Sequence, residues 1–139
     1  MITKNNGYYQ LDSFTKLGVV TTFSTRKYGN LSYRYDEKNL VDKRRLDFVT
    51  AVGLDPNKFL SRLDLTHETN VFVARADDAM PVIYNDETIR RADGVITSET
   101  ELTLWILTGD CSPFLFYDRV KRVIGLAHCG WKGTIGKMP

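Results

Sequence analysis

Four side chains in this sequence, His67, Cys111, His128 and Cys129, are of the types that ligate transition metals or carry nucleophilic chemistry, and they are all the histidines and cysteines it has. Three of them follow strand-like runs and sit beside small or turn-forming residues. His67 follows Leu63-Asp64-Leu65-Thr66. Cys111 follows the apolar run Leu104-Trp105-Ile106-Leu107 and the turn-prone Thr108-Gly109-Asp110. His128 follows Ile124-Gly125-Leu126-Ala127 and precedes Cys129-Gly130. Loops at strand ends are where a rigid sheet presents reactive groups. Neutral imidazole and thiolate are good zinc ligands, and a three-ligand site keeps a fourth position open for water or substrate. A metal held this way lowers the pKa of bound water to about 7 and generates a nucleophile near neutrality. The same residues could instead pair a Cys111 thiolate with His128 as general base. There is no Cys-x-x-Cys and no His-Glu-x-x-His. Spacing alone therefore leaves both chemistries open beside the plain alternatives, satisfied structural histidines and a cysteine acting as a small apolar residue.

The elements that would position these groups are legible in part. Tyr8–Leu11 and Val19–Ser24 read as strands from their aromatic and β-branched content, and Tyr28-Gly29-Asn30 as a turn. Lys38–Val52 reads as a helix with Leu40, Val41, Phe48, Val49 and Val52 on one stripe. Gly53 stands where a helix C-terminus favours a left-handed residue, and Asp55-Pro56 blocks continuation. Leu63–Leu65 and Asn70–Ala74 are short candidate strands, and Ala76–Tyr84 reads as a loop. Gly94–Thr97, Leu102–Thr108, Phe114–Tyr117 and Val123–Ala127 are apolar runs between turn signals. Runs this continuous predict strands buried on both faces, as in a layered α/β protein.

The bulk numbers set the class. With 139 residues and 42% apolar content, including seven Phe, seven Tyr and two Trp, the chain can fill the core of one domain. The formal charge is +2, and the single basic cluster, Lys43-Arg44-Arg45, is too small to argue for nucleic acid. It reads as a solvated helix face on which at least one arginine points outward. No apolar run suits a signal peptide or a bilayer span. Two cysteines are too few for a disulfide framework, so a cytoplasmic chain with free thiols or metal ligands is expected, the alternative being a Cys111–Cys129 disulfide.

The segment Thr108-Gly109-Asp110-Cys111-Ser112-Pro113, followed by Ala127-His128-Cys129-Gly130-Trp131-Lys132-Gly133-Thr134, resembles the laccase-domain family, the YfiH/YlmD-like group also labelled polyphenol oxidase or peptidoglycan editing factor. Its hallmarks are an Ala-Asp-Cys-x-Pro element and a later His-Ala-Gly-Trp-Arg/Lys-Gly. Phe23-Ser24-Thr25-Arg26 with Asn30-Leu31-Ser32, Lys43-Arg44, Thr66-His67-Glu68, and Ala92-Asp93-Gly94-Val95-Ile96-Thr97 resemble further family segments. The chain departs from the pattern at Gly109, at Cys129, and around His67, where the family's Gln-Val-His-Gly is reduced to the histidine. Family domains continue past the Gly-Trp-Lys-Gly loop, so a domain incomplete at its C-terminus is expected.

The resemblance implies a layered α-β-β-α domain with zinc on His67, Cys111 and His128. It also implies phosphorolysis of purine nucleosides (adenosine, inosine, guanosine or methylthioadenosine) to the base and ribose 1-phosphate, with adenosine deamination as a second reaction. Deamination needs an acid to shuttle protons, for which Asp110 and Glu68 are candidates, although Asp110 could simply cap a turn. Phosphate needs donors, for which Arg44 and then Arg26 are candidates, with Gly130 and Gly133 allowing close backbone approach. Trp131 would stack on a base or, as the more usual alternative, fill a core. The rival readings are copper-dependent phenol oxidation, a Cys111–His128 hydrolase, a peptidoglycan-editing role, and an inactive domain that folds only in a complex. Multicopper chemistry needs more histidines than two, although copper can occupy a Cys/His site. Self-association through the incomplete side is a further expectation.

Overall fold

A computed structural model of the chain describes residues 1–60, 63–83 and 90–138. The chain divides into two compact units, Met1–Pro56 and Asn57–Pro139.

In the first unit, β1 (Ile2–Lys4), β2 (Tyr8–Leu11) and β3 (Phe23–Ser24) form an antiparallel sheet in that order, with a short α1 (Asp12–Thr15) after β2. The expected strand Val19–Ser24 is thus reduced to its last two residues, and Thr21 is used elsewhere: its buried hydroxyl accepts from the Leu11 N–H at 3.2 Å. The principal helix, α2, spans Lys38–Val52, the range its periodicity predicts, and ends at Gly53 with φ 80°. Val41 and Val49 are buried, Phe48 packs edge-on against Tyr28 and Tyr8, and Leu40 is exposed.

The basic cluster is not a solvated face. Lys43 is exposed, but Arg44 is half-buried and its Nη1 donates to Asp36 at 2.7 Å and to the Asn30 carbonyl at 3.2 Å. Arg45 is only 2% exposed. Its Nε donates to the Leu31 carbonyl at 2.9 Å, and its guanidinium lies over the Tyr33 ring at 4.0 Å. A long stem and a weakly hydrated planar head let arginine fill such a site where lysine would not. Both arginines therefore fasten the 29–36 loop to α2.

In the second unit the main element is a four-stranded sheet in the order β10-β11-β9-β6, built from β6 (Val71–Val73), β9 (Gly94–Thr97), β10 (Ser112–Asp118) and β11 (Val123–Cys129). β9–β11 and β10–β11 are antiparallel, and β6–β9 is parallel. Two short pairs complete the strands, β4 (Phe59–Leu60) with β7 (Ala79–Met80) and β5 (Leu63–Asp64) with β8 (Arg90–Arg91). A helix, α3, spans Trp131–Ile135. Leu60, Leu63, Ala74, Ala92, Val95 and Leu102 make the buried core. The mixed α/β class expected from the sequence is the class observed.

Three expectations need correction. Leu102–Thr108 is not a strand: a single bridge joins Thr103 to Phe59, and the apolar residues pack inward while the Trp105 indole donates to the Leu60 carbonyl at 2.7 Å. Ala76–Tyr84 is not wholly loop, since it holds a short helical turn, Ala76–Asp78, and β7; Tyr84 lies outside the described residues. The four-stranded sheet is not buried on both faces. Phe114, Phe116, Ile96, Val71 and Val73 alternate with inward-facing neighbours and are exposed. In register, Phe116, Gly125, Ile96 and Val73 form one row across the sheet.

Candidate metal centre

The register of the sheet carries three distant segments to one end of it. β10 pairs with β11 so that Ser112 faces Cys129, which sets Cys111 and Gly130 side by side just beyond the ladder. β9 pairs with β11 so that Gly94 faces Ala127, and the next step brings the His128 N–H onto the Asp93 carbonyl at 2.7 Å. β6 begins beside Gly94, and Asp93 and Gly94 both donate to the Asn70 carbonyl at 3.0 Å. The turn carrying His67 directly precedes β6, so it arrives at the same end.

His67, Cys111 and His128 consequently converge: a ligand atom from each lies within 4.8 Å of the others. The two imidazoles stand nearly perpendicular, at 88°, with ring centres 5.0 Å apart. His67 is exposed, Cys111 half-buried and His128 buried, so the cluster opens to solvent on one side. Gly130 lies against it. A Cβ there would sit 3.2 Å from His67 Cδ2 and 3.3 Å from Cys111 Sγ. Its φ of −78° suits any residue, so close approach is what its small size serves. Two imidazoles and a thiol brought this close together suit a soft or borderline divalent ion, zinc or copper.

Beneath the cluster lies a residue absent from the sequence-derived site. The Asp93 side chain is 0% exposed. Its Oδ1 accepts from the His67 N–H at 2.8 Å and faces His128 Nδ1 at 3.0 Å. Its Oδ2 accepts from the Glu68 N–H at 2.9 Å, the Thr66 N–H at 3.2 Å and the Thr66 hydroxyl at 2.6 Å. Burial pushes this carboxyl up, but the hydrogen bonds from Thr66, Glu68, His128 and His67 outweigh it and hold Asp93 below the usual aspartate value. The only advance signal was the Ala92-Asp93-Gly94 segment of the family resemblance; a lone aspartate before glycine otherwise reads as a turn residue.

The remaining candidates fall in different settings. Asp110 is exposed, with its carboxylate 4.0 Å from Cys111 Sγ. Glu68 is exposed and accepts from Asn70 Nδ2 at 3.0 Å; the Thr66 hydroxyl, whose proton goes to Asp93, lies 3.4 Å from its carboxylate. Cys129 is buried; burial and then the Asp93 charge push its thiol up, so it stays protonated and stands outside the donor set. Both cysteines are free. Trp131 is 70% exposed and is not a core residue. Arg26 is exposed and Arg44 is held by Asp36, both in the Met1–Pro56 unit.

Residues 13–139 match the model of a family described as "multi-copper polyphenol oxidoreductase laccase". The chain belongs to this laccase family. Two relatives carry the name purine nucleoside phosphorylase: one from Deinococcus radiodurans is 33% identical over 131 residues, covering 88% of this chain and 47% of the relative. The other, LACC1 from Mus musculus, is 33% identical over 116 residues, covering 84% of this chain and 24% of the relative. The crystal structure of Bacillus licheniformis YfiH superposes with a TM-score of 0.87 at 23% identity, over 99% of this chain and 55% of that one. Geobacillus stearothermophilus YlmD gives 0.83 at 20%, over 98% and 54%. This laccase-family chain thus has the YfiH/YlmD fold and spans between about a quarter and about half the length of these relatives.

Proposed function

We propose that this chain carries the metal centre of a zinc-dependent purine nucleoside phosphorylase. It would cleave adenosine, inosine or guanosine with phosphate to give the base and ribose 1-phosphate, or methylthioadenosine to give adenine and 5-methylthioribose 1-phosphate, and deaminate adenosine as a second reaction. The observation that carries the reading is the convergence of His67, Cys111 and His128, two imidazoles and one thiol, in a family whose relatives bear that enzyme name. These three residues would hold the ion. When bound, it supplies a Lewis acid beside substrate and lowers the pKa of bound water.

The chain's own groups divide the remaining work. Asp110, exposed beside Cys111, would carry a proton to or from a reacting group, and Glu68 is the alternative carrier on the His67 turn. Phosphate binding falls to Arg26 and Arg44. Arg44 donates through Nη1 alone, to Asp36 and to the Asn30 carbonyl, so the rest of its guanidinium fork is not committed to those two bonds. Among the described residues no helix is long and apolar enough to cross a membrane. Two free thiols accord with the cytoplasm as the compartment.

A second reading keeps the site and makes turnover depend on self-association. The exposed apolar residues Phe114, Phe116, Ile96, Val71 and Val73 favour it. The test incubates the metal-quantified chain with inosine and with adenosine, with and without phosphate, at several protein concentrations, and separates the products. The expected result is phosphate-dependent release of hypoxanthine and adenine, with inosine formed from adenosine. A specific activity that climbs with protein concentration would select the second reading. Metal-loaded chain without turnover at any concentration would contradict both.

A further inference from the structure

The geometry points to Asp93 as the positioning residue of the metal centre: one buried carboxylate both holds the turn that presents His67 and dictates which nitrogen His128 offers. The inference rests on the reading of this cluster as a metal site and goes beyond it, because Asp93 is not itself a ligand.

His67 has φ 60°, a left-handed conformation uncommon for a residue with a side chain. Something must over-determine it, and the surroundings show what. The N–H groups of three successive residues, Thr66, His67 and Glu68, all point at the Asp93 carboxylate. Convergent backbone N–H groups of this kind make an anion-binding concavity, and here the anion is a side chain of the same fold. The Thr66 hydroxyl adds a fourth donor. Turning His67 out of this conformation would break these bonds and leave a fully buried carboxylate short of donors.

The same carboxylate sets the other histidine. An ionised carboxylate only accepts hydrogen bonds, so His128 Nδ1, at 3.0 Å, must carry the proton. In the neutral imidazole Nε2 is then the nitrogen with the free lone pair, the form a metal requires. The backbone repeats the link, since the Asp93 carbonyl accepts from the His128 N–H. Asparagine is close to isosteric but cannot replace this. With its amide nitrogen toward Thr66 and Glu68, donors face donors on the His67 turn. With the amide turned over, its nitrogen faces His67 N–H and His128 Nδ1, and His128 is driven to the tautomer protonated on Nε2. Either way one histidine loses its support.

The test has two arms. Long-range proton–nitrogen spectra of the metal-free, unaltered chain read the His128 tautomer directly, and the Nδ1-protonated form is expected. Asp93→Asn is then titrated with zinc and with cobalt(II). An affinity loss of about 10- to 100-fold is expected, with altered cobalt ligand-field bands, as for other outer partners of metal-bound histidines. A neutral His128 protonated on Nε2 and bare on Nδ1 in the unaltered chain would overturn the inference, and needs no variant to fold. So would Asp93→Asn that melts earlier yet binds both metals as tightly, with the same cobalt spectrum. If the unaltered chain binds neither metal, the metal reading fails and this inference with it.

Discussion

Cys111→Ala should remove the metal and lower phosphate-dependent cleavage of nucleosides by more than about 100-fold, since even an outer partner of a metal ligand costs 10- to 100-fold. Cys111 is half-buried just ahead of β10 and contributes the one thiol of the three-residue donor set. Nothing in the ladder depends on its side chain, because Ser112 is the first paired residue. The melting temperature of the metal-free protein should therefore change little, by the equivalent of less than about 1 kcal/mol. Cys129→Ala is the matching control. Its thiol is buried and held protonated by burial and by the Asp93 charge, so the metal and the turnover should remain. Metal content and initial rates on the two variants check this. Full activity in Cys111→Ala would remove the thiol from the site.

Arg45→Ala should destabilise the Met1–Pro56 unit by about 3 kcal/mol, from a lost charge-assisted hydrogen bond and lost packing in a water-excluded site. The guanidinium bonds the Leu31 carbonyl and covers Tyr33, whose hydroxyl donates to Asp42. Removing it leaves a buried carbonyl short of a donor and a void beside Val41 and Val49 on α2. Lys43→Ala, two residues earlier on α2 and exposed, should cost less than about 0.5 kcal/mol, because its partner Asp47 is a surface residue at i+4. Denaturant titration of both variants measures the difference. Equal losses would show that Arg45 behaves as a surface charge.

The contrast between these two residues shows where sequence reasoning reached its limit. Periodicity places Lys38–Val52 on a helix, and Gly53 ends it because a φ of 80° suits glycine. Periodicity cannot say which of three adjacent cations is buried, since that depends on Tyr33 and Leu31 in the preceding loop. Gly94–Thr97 and the core of both long strands were legible from apolar runs between turns. Leu102–Thr108 has the same composition and is no strand, because its apolar side chains are spent on packing while its backbone makes one bridge. In the site, His67, Cys111 and His128 were legible through residue type and the surrounding motif. Asp93 was not, because its partners are backbone N–H groups of residues 66–68 and an imbalance of that kind leaves no local pattern.

The arrangement Asp93–His128–Cys111 would also suit a thiolate nucleophile with an oriented base, so metal content is the most direct test of the central claim. The measurement is elemental analysis of the unaltered chain after removal of loosely bound ions and reloading with zinc, paired with alkylation of Cys111. One zinc ion per chain, with Cys111 shielded from alkylation until the metal is chelated away, is the expected result. A metal-free chain that still turns over nucleoside, and loses that activity as Cys111 is alkylated, would contradict the metal centre and leave a cysteine–histidine site in its place.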